Sequence, residues 1–342
     1  MTTTTSSQQT VDQTEFKPSE LGFGAGALSG TYDKIESHWP VEACREALRG
    51  GINVFDTSPY YGLSEFVLGD ALETVRDEFP RSSYYIQTKV GRYGFTTKDF
   101  DYSAERVTNS VKESMRRLHT DYLDLVLCHD VEFVNFEDVV GPGGALEALF
   151  KLKEQGKIKY VGCSAYPLSI MLKIAEHQQA KGQPLDVILS YCHYTLQNTK
   201  LAEYTPKFRA AGVKYVANAS PLGMALFRDA GPPEWHPAHA ELRQAAKECA
   251  EYAREQGLNI SELASMFSFT GRDTFQLNTT YIGLENKEDV QKALKAWKRV
   301  KAREQNLEKT TDLETKVLDK IRELLAPYKD YSWQSPTAKE LA

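Results

Sequence analysis

A chain of 342 residues, 41% hydrophobic and 26% charged, carries enough apolar surface for a large core, which excludes a disordered or low-complexity protein. Its formal net charge of -6, with Lys and Arg scattered along the chain, offers no field for a phosphate backbone, so nucleic acid is not an expected partner. No apolar run approaches the roughly 20 residues that a membrane helix needs, so no membrane role is expected either.

The first residues are Thr, Ser and Gln with neither positive charge nor apolar character, unlike a secretory or transit signal. They read as a disordered tail over residues 1–18, ahead of one catalytic domain at 19–329 and a C-terminal tail at 330–342. Short β-branched or aromatic runs then begin near Leu21, Asn53, Tyr84, Leu123, Ile158, Asp186, Lys214 and Thr279, with helical periodicity between them. That alternation is the pattern of parallel βαβ units. The clearest helix follows Ser103, an N-cap candidate, with Val107, Val111, Met115 and Leu118 on one face. Another opens at Pro167, expected as its first residue. Gly231 to Pro237 interrupts the rhythm, and an extra helix is expected from about His239 to Gln256. The glycine-rich Leu21-Gly22-Phe23-Gly24-Ala25-Gly26 is not followed by a helix that could present its N-terminus to a pyrophosphate, which disfavours a Rossmann sheet. The expected architecture is an α/β fold, a (β/α)8 TIM barrel with its site at the C-terminal ends of the strands.

Four titratable residues fall at those ends: Asp56 after strand two, Tyr61 in the next loop, Lys89 after strand three and His129 after strand four. Taken singly, each has a structural reading as a cap, a surface charge or a buried hydrogen-bonding group. Taken together they suggest proton transfer, because a tyrosine with a reference pKa of about 10 needs a neighbouring cation to act near neutrality. Lys89 can supply that cation, Asp56 can hold Lys89, and His129 can hydrogen-bond a substrate oxygen, all without a metal.

Gly51-Ile52-Asn53-Val54-Phe55-Asp56-Thr57-Ser58 with Tyr61 and Glu65-x-x-Leu68-Gly69, then Lys89 and His129 in order, resembles the aldo-keto reductase superfamily. Lys157 to Ser164 resembles its second signature, Ser220-Pro221-Leu222-Gly223 its cofactor loop, and the likeness runs from about Leu21 to about Leu294. It implies a nicotinamide cofactor held without a Rossmann fold, Tyr61 as acid/base, and cofactor contacts at Gly24, Ala25, Asp56, Ser164, Ser190, Ser220, Leu222, Gly283, Glu285 and Asn286. Substrate contacts are expected at Tyr61, His129 and Tyr93, with Tyr60 and Trp235 as further aromatic candidates.

Three departures from the family pattern bear on the cofactor. Ala165 stands where an Asn usually follows the serine, Ser190 where a Gln is usual, and Ala219 where an aromatic usually stacks on the nicotinamide, so another residue must supply that surface. In place of the cations that grip a 2′-phosphate are Gly283, Glu285 and Asp289. A carboxylate repels phosphate and accepts from ribose hydroxyls, so NAD is expected rather than NADP, although Lys287 and Lys292 lie nearby. Gly231 to Pro237, Ile188 to Tyr194 and Ala219 to Leu222 resemble the L-galactose dehydrogenase and D-arabinose 1-dehydrogenase branch, which implies oxidation of a small sugar at C1 to a lactone.

The five cysteines are odd in number and form no CxxC pair, as expected in the cytoplasm. Cys128 and Cys163 read as core residues, Cys192 with His193 as structural rather than a zinc site, and His236 and His239 as exposed loop residues. Three other functions use parts of this pattern: an NADPH-dependent carbonyl reductase, a cofactor-binding regulatory subunit of a potassium channel, and a metal-dependent barrel hydrolase. The oligomeric state is open. The segment around Tyr331-Ser332-Trp333 is expected to fold over the substrate site.

Overall fold

A computed structural model of the chain describes residues 16–29 and 36–335. Its strands are β1 (Leu21–Gly24), β2 (Val54–Asp56), β3 (Tyr85–Val90), β4 (Leu123–His129), β5 (Ile158–Ala165), β6 (Val187–Tyr191), β7 (Tyr215–Ala219) and β8 (Thr279–Gly283). Each pairs in parallel with its neighbours, and β8 returns to β1, closing the sheet into a barrel. The helices are α1 (Trp39–Arg49), α2 (Ser64–Thr74), α3 (Ala104–Arg117), α4 (Phe136–Val140), α5 (Ala145–Glu154), α6 (Leu168–Ala180), α7 (Lys200–Ala210), α8 (Ala240–Glu255), α9 (Ile260–Phe269), α10 (Gly271–Phe275), α11 (Lys287–Glu304) and α12 (Asp312–Leu325). The expected (β/α)8 TIM barrel is the fold observed.

Successive side chains on a strand face opposite ways, so one set fills the barrel and the other meets the helices. Val54, Tyr85, Leu125, Leu127, Val187, Leu189, Tyr215, Ala217 and Tyr281 form the interior cluster. Counting two residues on from Val54, Gln87 and Leu127 brings Asp56, Lys89 and His129 onto that inward face at the top of the barrel. Gly22 makes room for this packing, because a Cβ there would lie 2.4 Å from the Tyr281 ring.

The signature residues after Tyr61 hold the outer layer together. Glu65 is buried on α2, where it accepts from Thr88 Oγ1 at 2.6 Å and Arg117 Nη1 at 3.0 Å, tying α2 to β3 and α3. Gly69 lets α3 approach, since a Cβ there would overlap the Arg117 carbonyl at 2.0 Å.

Several expectations need correction. Residues 1–15 of the expected tail lie outside the described residues, but Phe16 is no tail residue. Its ring packs against Tyr85, Tyr160 and Tyr215 at centroid distances of 5.0, 4.4 and 4.8 Å, covering the barrel floor. Pro167 is the residue before α6, with extended backbone. His236 is buried, with Nε2 2.8 Å from the Gly223 carbonyl and Nδ1 accepting from Ala238 N, so it pins the loop that follows β7. His239 is the N-cap of α8. The described residues beyond α12 are fixed as well, with 336–342 outside the described residues: Gln197 Nε2 donates to the Tyr328 and Tyr331 carbonyls, and Trp333 stacks on Tyr166 at 5.2 Å. The expected placement of this segment thus has it against the loops that follow β5 and β6, on the face where the strands end.

Candidate active site

Asp56 ends β2, Lys89 is the penultimate residue of β3 and His129 ends β4, so the residues expected after their strands are strand residues. Lys89 is 1% exposed and Asp56 6%, and a charge buried this deeply needs full compensation. Lys89 Nζ has it: Asp56 Oδ1 and Oδ2 lie at 2.7 Å each and the Thr57 carbonyl at 2.9 Å, which occupies the three ammonium donors. Gln87 Nε2 donates to Asp56 Oδ1 at 2.6 Å, and the Tyr281 hydroxyl donates to Gln87 Oε1 at 3.4 Å. Gln87 thus fixes the carboxylate that fixes the lysine, a role its sequence position did not signal.

Tyr61, in the loop between β2 and α2, lies across this ion pair. Lys89 Nζ is 4.6 Å from its ring centroid, and the His129 ring meets it edge-on at 5.7 Å. With its donors committed elsewhere, Lys89 acts on Tyr61 as a nearby positive charge in a low-dielectric setting.

The imidazole of His129 has a defined direction. Ser58 Oγ accepts from Tyr60 N at 3.1 Å and lies 3.2 Å from His129 Nδ1, while Asp130 Oδ2 lies 3.5 Å from Nε2; we assign the imidazole proton to Nε2, with the Ser58 hydroxyl donating to Nδ1. The Tyr102 hydroxyl donates to the His129 carbonyl. Burial pushes His129 down to about 3, with Lys89 and Arg92 adding to the effect and Asp130 opposing it. The ring is therefore a neutral donor throughout the physiological range.

This depression makes a stability prediction. Below about pH 6.5 the unfolded chain protonates this imidazole, whereas the folded chain does so only near 3, so stability falls as pH drops through that window. One such group contributes a slope of up to about 1.4 kcal/mol per pH unit. His129→Gln should remove that slope from urea-unfolding free energies measured between about pH 6 and pH 4. Equal slopes in the two proteins would mean that folded His129 is already protonated there.

The remaining candidates divide by position. Gly24 ends β1 and Ala25 follows it, Ser164 lies beside His129 in the β4–β5 register, and Ser190 is on β6. Ser190 Oγ is 3.2 Å from His193 Nδ1, which answers the question of what His193 does there. Ser220 has a left-handed backbone at φ 56°, while Leu222 packs toward α8, α9 and α12. Gly283 ends β8, and a Cβ there would meet only Ala27 Cβ at 3.8 Å, so ligand backbone could approach closely. Glu285 follows, and Asn286 is the N-cap of α11, accepting from Asp289 N at 2.9 Å. Tyr93 is not brought to this group. Its ring lies under Arg106 of α3, 3.8 Å from the guanidinium carbon. Tyr60 is the aromatic at the site, 5.7 Å from the His129 ring and in contact with Arg92.

A family model described as the aldo/keto reductase family matches residues 20–314. The chain belongs to the aldo/keto reductase family. It is 37% identical over 329 residues to L-galactose dehydrogenase of Arabidopsis thaliana, covering 94% of this chain and 95% of the relative. It is 39% identical over 289 residues to D-arabinose 1-dehydrogenase of Saccharomyces cerevisiae, covering 83% and 84%. A solved aldo-keto reductase of Bacillus halodurans, in its holo form, superposes with a TM-score of 0.64 over 93% of this chain and 95% of its own at 24% identity, a likeness of fold. As an aldo/keto reductase the protein is an oxidoreductase, and the family uses nicotinamide cofactors. Among the described residues no helix is long and apolar enough to cross a membrane.

Proposed function

We propose that this aldo/keto reductase oxidises a small aldose, of the D-arabinose or L-galactose type, at C1 to the aldonolactone with NAD as hydride acceptor. The reading is carried by the Lys89 ammonium on the face of Tyr61, beside a neutral His129. The names of the two relatives supply the sugar class.

The reaction divides among the side chains. His129 Nε2–H and Tyr61 grip the anomeric hydroxyl, and Tyr61 takes its proton as base while the positive charge of Lys89 steadies the resulting phenolate. Asp56, held by Gln87, keeps Lys89 charged and placed. The bound dinucleotide supplies the hydride acceptor, so aldose and NAD give lactone, NADH and one proton.

The donor set suits such a cofactor. Ser164 and Ser190 hydroxyls at the ends of β5 and β6 match a carboxamide, and the open Gly283 with the N-terminus of α11 matches a dinucleotide passing over β8. Glu285 and Asp289 at that terminus favour ribose hydroxyls over a 2′-phosphate. Lys292, a possible phosphate ligand, lies 2.8 Å from Glu288 in a surface ion pair. The cytoplasm is the proposed location, in keeping with five buried, unpaired thiols.

Initial rates of NADH formation with D-arabinose, L-galactose and L-fucose test the reading. Sugar-dependent NADH formation that exceeds the rate with NADP is expected. Reduction of simple aldehydes by NADPH without sugar oxidation would instead make the protein a general carbonyl reductase.

A further inference from the structure

Next to the reacting group lies a polar cluster that chemistry at C1 does not use. Asp130 follows His129 directly and holds a left-handed backbone, φ 51° and ψ 50°, a conformation unfavourable for a residue with a Cβ and characteristic of functional positions. Its Oδ2 takes Arg92 Nη1 at 2.6 Å and lies 3.5 Å from His129 Nε2. Its Oδ1 has no hydrogen-bond partner among the described residues, although Asp130 is only 2% exposed.

Glu132, two residues on, repeats the arrangement. Oε1 accepts from Tyr166 N and from Ser335 Oγ, each at 3.2 Å, while Oε2 is sealed from solvent with no partner among the described residues. Burial, and then the charge of Asp130, pushes the Glu132 carboxyl up to about 8, so the two groups feel each other. The Tyr191 hydroxyl at the end of β6 feels both, and Arg92 too. Arg92 Nη2 donates to the Tyr60 hydroxyl at 2.9 Å, which joins the cluster to the aromatic wall beside His129.

Buried polar oxygens without partners are costly, and ligand hydroxyls, which donate to a carboxylate and accept from a protonated carboxyl, would relieve both at once. We infer that Asp130 and Glu132 form a subsite that hydrogen-bonds the ring hydroxyls of an aldose whose C1 sits at Tyr61 and His129. The inference rests on the dehydrogenase reading and names what selects its substrate. Simple aldehydes reach the same catalytic group but leave both oxygens unpaired, the situation in which a site built for hydroxyls discriminates most strongly.

Calorimetric binding of 1,5-anhydro-L-galactitol and 1,5-anhydro-D-arabinitol to the NAD-loaded protein tests this. These probes keep ring hydroxyls and lack the reacting anomeric hydroxyl, so binding is read whether or not the parent sugars turn over. Affinity for at least one probe is expected, with a loss of tenfold or more in Asp130→Asn and in Glu132→Gln. Replacing a probe hydroxyl by hydrogen should cause a similar loss in the unsubstituted protein, and that loss should not add to the loss caused by the variant. Should one variant not fold, the other and the deoxy probes carry the test. No affinity for either probe, or affinity that the variants retain, overturns the subsite. Intact probe binding without NADH formation from any sugar upholds the subsite and removes the dehydrogenase reading.

Discussion

Tyr61→Phe is expected to lower kcat for sugar oxidation by about 10²- to 10⁴-fold, the range that a positioned acid/base supplies. The substitution removes one oxygen and leaves the ring that lies 4.6 Å from Lys89 Nζ and edge-on to His129, so the surrounding packing has no reason to change. Cofactor affinity, followed by quenching of protein fluorescence, should stay within about threefold, because the loss falls on proton transfer. A variant that retains a tenth or more of wild-type kcat would show that another group takes the anomeric proton.

Lys89→Met should abolish turnover and also cost about 3–5 kcal/mol of folding stability, the usual consequence of leaving one member of a buried ion pair alone. Asp56 would keep Gln87 as a donor but lose both ammonium contacts in a setting where it is 6% exposed. The double variant Asp56→Asn with Lys89→Met should recover much of that stability, since no uncompensated charge remains, and recover no activity. Denaturant titrations of these two variants, of Asp56→Asn alone and of the wild type give the coupling directly. Additive losses would mean that the carboxylate finds water when the lysine is gone.

Much of the architecture was readable because it is written in local periodicity. The expected strand starts at Asn53, Tyr84, Asp186 and Lys214 each precede the observed strands by one residue, and those at Leu21, Leu123, Ile158 and Thr279 coincide with them. Alternation along a strand then decides which side chains enter the barrel, and this is why Asp56, Lys89 and His129 are legible as a group from their strand positions alone. Contacts between strand ends carry no such period. Arg92 reaches Asp130 across 38 residues, and neither residue type announces the pair. Its place just beyond Lys89 puts Tyr93 ahead of Tyr60 as a sugar-stacking aromatic, but the loop after β3 turns Tyr93 toward α3 and the loop after β2 turns Tyr60 to His129. Phe16 stands among polar residues, and its neighbours gave no pattern to distinguish a floor plug from a tail. His236 was equally opaque, because its partner, the Gly223 carbonyl, belongs to an irregular loop.

The pairing of β8 with β1 sets the timing of folding during synthesis. Leu21 opposes Thr280 and Gly24 opposes Gly283, so the first strand leaves the ribosome long before its second neighbour exists. Until β8 arrives, β1 and β7 each present an unpaired edge, and closing a loop of nearly the whole chain is slow and entropically costly. A nascent chain stalled before Thr279 therefore exposes two strand edges at once, the kind of surface that pairs with other chains.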